Sequence, residues 1–431
     1  MSLPFWTDTK KHLNLFSLYL LYCSAFLCFN NPSLGEPALK LFLITSLISI
    51  LWHLPTLWRN PIFFLLIASI LIQIASWFYA KNFFPEYAEL DPDLKRLGHL
   101  FLFIPIAWIL QANNRSPWML MTVFFVGICI TAFTRGDGLA EFSQGRPALG
   151  LRNAQHPAMM FAISLVTLLA FRKRALQFYH SSNGKIILAL SIGIIYCIYI
   201  IGITNTRGVL LGLLAGLLVV GASQLLKKNT KLRKREIVTA LLLVIAVAVS
   251  LNTTSNSSAK WLRVVETVKS LASADLESIP KTTSSGIRIH TWIEGWHWFT
   301  KSPWIGWGEN GRKLAIKESS TLPDTIRERF THLHNSYVET LVNNGIMGAA
   351  LILLLHGWLA ITILRSCQEN RQTDVRLCTL AAGTLWLTAN FFESYMFYKT
   401  GVMIFGIVSA ALLNSSGYKF GKQPVVTTKE E

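Results

Sequence analysis

Charge is scarce in this sequence. Only 15% of its 431 residues are Asp, Glu, Lys or Arg, against 52% hydrophobic residues and a mean hydropathy of +0.41. A soluble chain of this length carries far more polar surface, so the bilayer is the expected solvent. Acids are scarcer than bases, 23 against 40. Outside "ELDPD" (Glu89, Asp91, Asp93) they form neither an HExxH nor a DxD-like pair, so no further metal motif stands out. Cysteine is also sparse. Cys23, Cys28, Cys129, Cys197 and Cys378 fall in apolar runs and Cys367 in a basic loop, which leaves no CxxC pair and no external disulfide framework.

Long apolar runs are abundant. About twelve are long enough to cross a hydrocarbon core of roughly 30 Å at about 1.5 Å per residue. They lie near 13–29, 37–57, 61–80, 97–112, 117–134, 155–171, 186–204, 208–226, 237–251, 343–363, 377–391 and 400–414. The first follows Lys10 and Lys11 as a signal peptide would, but it is too long and lacks a small-residue cleavage site, so it reads as a retained helix. The expected fold is an all-α polytopic membrane protein with spans one to nine in 1–251, a large external helical loop at 252–336, spans ten to twelve in 337–414 and a tail at 415–431.

Short basic connections stay cytoplasmic. "RKRALQFYHSSNGK" (172–185), "KKNTKLRKRE" (227–236) and "RSCQENRQTDVR" (365–376) all fall on the side of the N-terminal lysines, which puts both termini in the cytoplasm. The net charge of +17 is largely in such loops, so topology accounts for it and nucleic acid is not an expected partner.

The loop 252–336 far exceeds an ordinary connection. Within it Trp261, Val264, Val265, Val268 and Leu271, and then Ile289, Trp292, Ile293, Trp296 and Phe299, recur at helical spacing. Two amphipathic helices are expected, with tryptophan-bearing faces suited to the outer membrane surface or to the bundle's own loops. "GWGENG" (306–311) matches GxGxxG by letter, but no βαβ context surrounds it, so a glycine turn after the second helix is the better reading. "ELDPD" could hold a hard cation, yet a short acidic external loop also fits topology alone.

Candidate chemistry gathers on the external face. Arg207 stands between two spans with almost no loop, where a guanidinium is held near the interface. Arg288 follows "KTTSSG", where Ser284 or Ser285 is expected to cap a helix, and a bound anion would offset the repulsion of a cation near that helix start. Together they suit phosphate or diphosphate. In "THLHNSYVETLVNNGIMG" (331–348), Ser336 and Glu339 fit a capping box, so a helix should begin at Tyr337 and Glu339 reads as structural. His334 lies just before that helix start, which disfavours imidazolium and leaves a ring able to take a proton. His332 is expected to point elsewhere, and Asn335 to orient the ring or a substrate hydroxyl.

"HNSYVETLVNNGIMG" resembles the HNxYxxxxxxxGxxG signature of the O-antigen ligase and polymerase superfamily, and "NTRG", "GIRIHTW" and "GWGENG" match its other pieces in order. The resemblance covers about 204–348, and the long loop between spans nine and ten resembles the members that act on lipopolysaccharide. It implies a GT-C-like glycosyltransferase of a Gram-negative inner membrane with a periplasmic site. The implied reaction is inverting and needs no metal or cofactor. It moves O-antigen from undecaprenyl diphosphate to a hydroxyl of lipid A-core. Carried over by motif, Arg207 and Arg288 grip the diphosphate and His334 activates the hydroxyl. Asn335, His332, Tyr337 and the rim arginines Arg146 and Arg152 are further candidate substrate contacts. O-antigen polymerases and protein O-oligosaccharyltransferases share these pieces. A transporter would need charges deep in its spans, whereas these lie at span ends and in loops.

Overall fold

The computed structural model describes residues 4–111, 116–137, 140–144, 146–178, 183–225 and 278–420, with fragments between 265 and 276. The expected ninth span (237–251), the basic loop before it, and Trp261, Val264, Val268 and Leu271 of the first amphipathic helix lie outside the described residues. The regular structure described is helical throughout. In chain order the helices used below are α1 (Pro4–Asn30), α2 (Pro32–Leu51), α3 (Pro61–Phe83), α4 (Phe103–Leu110), α5 (Ser116–Thr134), α6 (Gln155–Phe178), α7 (Asn183–Thr204), α8 (Arg207–Leu225), α9 (Ser284–Lys301), α10 (Gly311–Lys317), α11 (Asp324–Arg329), α12 (Ser336–Glu369), α13 (Thr373–Ala389) and α14 (Lys399–Ser415).

Local chemistry sets several of these starts. Asn31 and Asn60 accept hydrogen bonds from Leu34 N and Ile62 N, and each is followed by a proline whose missing N–H costs nothing at the first helical position. Among the described residues, 7 helices are long and apolar enough to cross a membrane, lying in α1, α2, α3, α5, α7, α8 and α12. Helices α4, α6, α13 and α14 stand at four of the other expected positions, but they are shorter or less apolar.

The burial pattern is that of a lipid-facing bundle. Ser24, Ser46, Ser49, Ser69 and Ser76 are buried between helices, while Ile44, Leu47, Ile67, Leu71 and Phe78 are exposed. Apolar side chains gain nothing from leaving lipid, so small polar residues take the close contacts. The protein is a multi-pass membrane protein.

Two glycine devices position the site. Gly208, Gly212 and Gly216 form a stripe at four-residue spacing on α8. A Cβ at Gly212 would meet Leu385 Cδ1 at 2.8 Å, and one at Gly216 would meet Ala381 O at 2.8 Å. Helix α8 therefore lies directly against α13, and Gly208 abuts Phe392, so the stripe fixes Arg207 relative to the segment that follows α13. The second device is a break in α12. Gly345 has φ +61° and ψ −160°, a region open to glycine alone, which divides the helix into an external turn and the membrane span.

The 303–311 segment fills that break. Val342 O and Asn343 O, which lose their helical partners, accept from Trp307 N and Gly308 N, and Ile346 N and Met347 N donate to Pro303 O and Trp304 O. The backbone groups orphaned by the break are thus satisfied. Gly306 (φ +68°) and Gly308 (φ +71°) supply the turns of "GWGENG", so this segment works as a plug for a broken helix.

Helix α9 buries His290, Thr291, Glu294, Gly295 and Trp298 against the protein. Ile293 and Trp296 of the expected apolar stripe stay exposed.

Candidate functional site

The segment 331–335, the 390–398 connection between α13 and α14, and the 146–155 segment before α6 converge in one place. Helix α12 begins at Ser336, one residue earlier than expected, and its cap is Asn335: the Asn335 side chain accepts from Tyr337 N at 3.0 Å and Val338 N at 3.2 Å. The capping box expected on Ser336 and Glu339 does not form. Ser336 Oγ instead donates to Asn390 Oδ1 at 2.5 Å, and Glu339 turns inward.

Glu339 is fully buried and accepts from Leu333 N at 2.8 Å, Ser394 Oγ at 2.6 Å and Arg312 Nη1 at 3.2 Å. One carboxylate therefore ties the histidine segment, α10 and the 390–398 connection together. A buried acid is tolerated only with such partners.

His334 is held between these anchors with φ +54°, a left-handed conformation that costs a non-glycine residue on the order of 1 kcal/mol. Leu333 O accepts from Trp292 Nε1 at 2.8 Å, which fixes the segment from α9 as well. His332 does not point elsewhere as the sequence suggested. Its Nε2 lies 3.2 Å from His334 Nδ1 and its Nδ1 lies 3.1 Å from Arg152 Nη2, while Arg152 also stacks over the Tyr398 ring at 4.4 Å. The left-handed backbone at His334 is what brings two rings, two residues apart, to the same side. Burial, reinforced by His334, lowers the His332 pKa from 6.5 to about 3, and Glu393 opposes the shift.

Glu393 is the functional candidate that sequence reasoning missed. It is fully buried, and its Oε1 lies 3.5 Å from His334 Nδ1. Its Oε2 accepts from Gln155 Nε2 at 2.6 Å and Asn153 Nδ2 at 3.0 Å, and its Oε1 from Ser394 N at 3.0 Å. Burial alone would raise its pKa, but neighbouring His334 and the Ser394 amide outweigh it and hold the carboxyl far below its usual range. The available signal was a single acid in "FFESY" at the external end of a span, overlooked in a search for pairs of acids.

Three arginines form the second half of the site. Arg207 opens α8, Arg288 lies in the second turn of α9, and Arg146 sits beside the end of α7 with its backbone N donating to Ile203 O and its Nε to Thr204 O. The cap of α9 is Thr283, whose side chain accepts from Gly286 N, and not Ser284 or Ser285; Arg288 Nη1 bonds back to Ser284 Oγ at 3.0 Å. Arg288 Nε is buried without a hydrogen-bond partner among the described residues. Burial lowers its pKa, the positive fields of Arg146 and Arg207 add to that, and Glu393 and Tyr395 oppose it. Guanidinium groups close enough to repel one another, one with an unsatisfied donor, offer charge and donors suited to an anion.

Two other candidates are placed differently. Tyr337 is engaged with α13, its hydroxyl donating to Leu387 O at 2.8 Å and its ring 4.5 Å from Phe391. Asn335 spends its oxygen on the cap, so its amide group alone is available to orient another group. In the acidic loop, Glu89 accepts from Asn310 at 2.8 Å and Asp93 pairs with Glu309 beside Arg96, which braces the loop against the glycine turn. Among the described residues, His332, His334 and Glu393 bring ligand atoms within 4.8 Å of one another, as a divalent metal would need. Arg152 argues against that use: it requires the lone pair of His332 Nδ1, which leaves the proton of a neutral ring on Nε2, where the metal would bind.

Residues 192–353 match the family model described as O-antigen ligase. That segment belongs to the O-antigen ligase family. It runs from α7 into α12 and contains Arg207, Arg288, His332 and His334, while Glu393, Arg146 and Arg152 lie outside the matched residues. A comparison with curated proteins finds no match. The match supports a glycosyltransferase of the O-antigen ligase and polymerase type, a membrane protein suited to lipid-linked glycan.

Proposed function

We propose that this protein transfers an O-antigen glycan from undecaprenyl diphosphate to a hydroxyl of lipid A-core, on the periplasmic face of a Gram-negative inner membrane. The observation that carries the reading is the juxtaposition of an arginine cluster with a histidine–carboxylate pair. A sugar leaving with a diphosphate needs negative charge stabilised on the leaving group, and Arg207, Arg288 and Arg146 are suited to that. The incoming hydroxyl needs a proton acceptor, and His334 with Glu393 at its Nδ1 is arranged for it. Attack from the face opposite the diphosphate inverts the anomeric centre. Arg152 beside His332 supports a metal-independent reaction, since the guanidinium supplies the positive charge that an ion otherwise would.

The test is transfer in proteoliposomes with defined lipid-linked donor and purified acceptor. His334→Ala, Arg207→Ala and Arg288→Ala are each expected to abolish transfer at normal protein level, and chelator to leave the native rate unchanged. Near-full activity in His334→Ala rejects His334 as the base, and metal rescue after chelation rejects metal independence. Polymerases and protein O-oligosaccharyltransferases of the same superfamily differ in acceptor. Deletion of the gene that leaves full-length glycan on its lipid carrier and none on lipid A-core supports the ligase reading; shortened glycan supports the polymerase.

A further inference from the structure

Arg152, His332 and His334 form a line of hydrogen bonds with one consistent set of proton positions. A guanidinium has donors only, so His332 Nδ1, 3.1 Å from Arg152 Nη2, must accept. A neutral ring that accepts at Nδ1 carries its proton on Nε2, and that N–H faces His334 Nδ1 at 3.2 Å. His334 therefore accepts at Nδ1 and carries its own proton on Nε2. In this state Nε2, the outward nitrogen, has no lone pair for an incoming hydroxyl. Glu393 Oε1, 3.5 Å from His334 Nδ1, faces a lone pair instead of the N–H that a carboxylate would hold. The ring suited to act as base is resting in the wrong tautomer.

We propose that Arg152 is a positioning residue that holds the His332–His334 pair in this resting tautomer, and that donor diphosphate releases the pair by drawing Arg152 away from His332. The proposal rests on the reading of the site as a diphosphate-dependent glycosyltransferase. Arg152 is exposed, and among the described residues it forms no salt bridge; its contacts are the hydrogen bond to His332 and the face of Tyr398. A phosphate oxygen is a stronger partner for guanidinium than a neutral imidazole nitrogen.

With Arg152 gone, His332 takes its proton on Nδ1 and its Nε2 becomes an acceptor. His334 then carries its proton on Nδ1, shared between His332 Nε2 and Glu393 Oε1, and presents the Nε2 lone pair outward. Each ring holds one proton before and after, exchanged through water. In the transfer step the acceptor O–H proton passes to His334 Nε2 as its oxygen bonds to the anomeric carbon. The bond from that carbon to the diphosphate oxygen breaks, and the electron pair leaves on the diphosphate. The imidazolium then returns its proton to water, and Arg152 resets the pair when the diphosphate departs. The base becomes competent only after the donor is bound.

The test is nitrogen NMR on the full chain in nanodiscs with ¹⁵N-labelled histidine, His332 and His334 being assigned from single His→Gln variants. Without ligand both rings are expected to carry the proton on Nε2, and with saturating inorganic pyrophosphate both should carry it on Nδ1. Arg152→Met should show the Nδ1 form without pyrophosphate, whereas Arg152→Lys, which keeps a donor-only group, should retain the Nε2 form; Arg152→Gln replaces the Met variant if that does not fold. Rings that stay on Nε2 in the Met or Gln variant, or with pyrophosphate bound, overturn the proposal. Pyrophosphate that does not bind overturns the trigger and the diphosphate reading together. An active His334→Ala sinks the base assignment alone, whatever the tautomers show.

Discussion

Glu393 Oε1 lies 3.5 Å from His334 Nδ1, and the carboxylate is fully buried under Asn153, Gln155 and Ser394. A histidine that gains a proton during transfer is stabilised by that charge, much as a buried acid supports an imidazolium in hydrolases. Glu393→Gln keeps the shape and removes the charge. The expected result is a transfer rate lower by about 10²- to 10⁴-fold, with donor binding retained. Full activity would show that Glu393 only braces the fold.

Arg288 should not tolerate lysine. Its unsatisfied buried Nε and the fork beside Arg207 and Arg146 suit two oxygens of a diphosphate, and an ammonium offers a single point of charge. Arg288→Lys is expected to raise the KM for lipid-linked donor about tenfold or more while the KM for acceptor stays near its native value. A change confined to the acceptor would place Arg288 on the wrong substrate.

Acid should destabilise the protein through His332 and then through Glu393. His332 falls from 6.5 to about 3 in the fold, so between these values the unfolded chain binds more protons. Stability is fully present above 6.5 and is lost as pH falls through that window. Glu393, also held far below its usual range, adds a loss that begins near 4.5, its unperturbed value. Thermal unfolding in detergent is expected to show Tm declining from pH 7 to pH 5, and His332→Gln should flatten that slope. An unchanged slope in the variant would mean that another group controls the acid response.

The two glycine devices predict stability losses without any change of chemistry. A Cβ at Gly345 would lie 2.3 Å from Trp304 C, in a conformation closed to side chains, so Gly345→Ala should cost about 1–3 kcal/mol or more. Gly212→Leu should separate α8 from α13 and lower both Tm and transfer, since Arg207 and Glu393 sit at the ends of that contact. Unaltered melting in either variant would contradict the packing described here.

Much of this protein was legible along the chain because membrane insertion and helix starts are local events. Apolar runs, basic loops, Arg207 between two spans and the histidine before a helix are each read from a few neighbouring residues. Gly345 was hidden because the apolar pattern of α12 continues past it, and periodicity does not record a break that is repaired by hydrogen bonds from a distant segment. Ser336 and Thr283 show the same limit at smaller scale. Several capping residues stood in a row, and contacts to Asn390 and the direction of chain entry chose among them.

The sequence by itself determined a many-span helical protein with arginines and a histidine on one face of the membrane, because the bilayer sorts residues by hydropathy and charge one segment at a time. Only the tertiary structure decided that Glu393 answers His334, that His332 turns toward it, and that Arg152 reaches His332. Those relationships depend on distances of about 3 Å between segments far apart in sequence, brought together by the α8–α13 glycine contact and by Glu339. Hydrogen bonds of that length follow from packing, which no local pattern encodes.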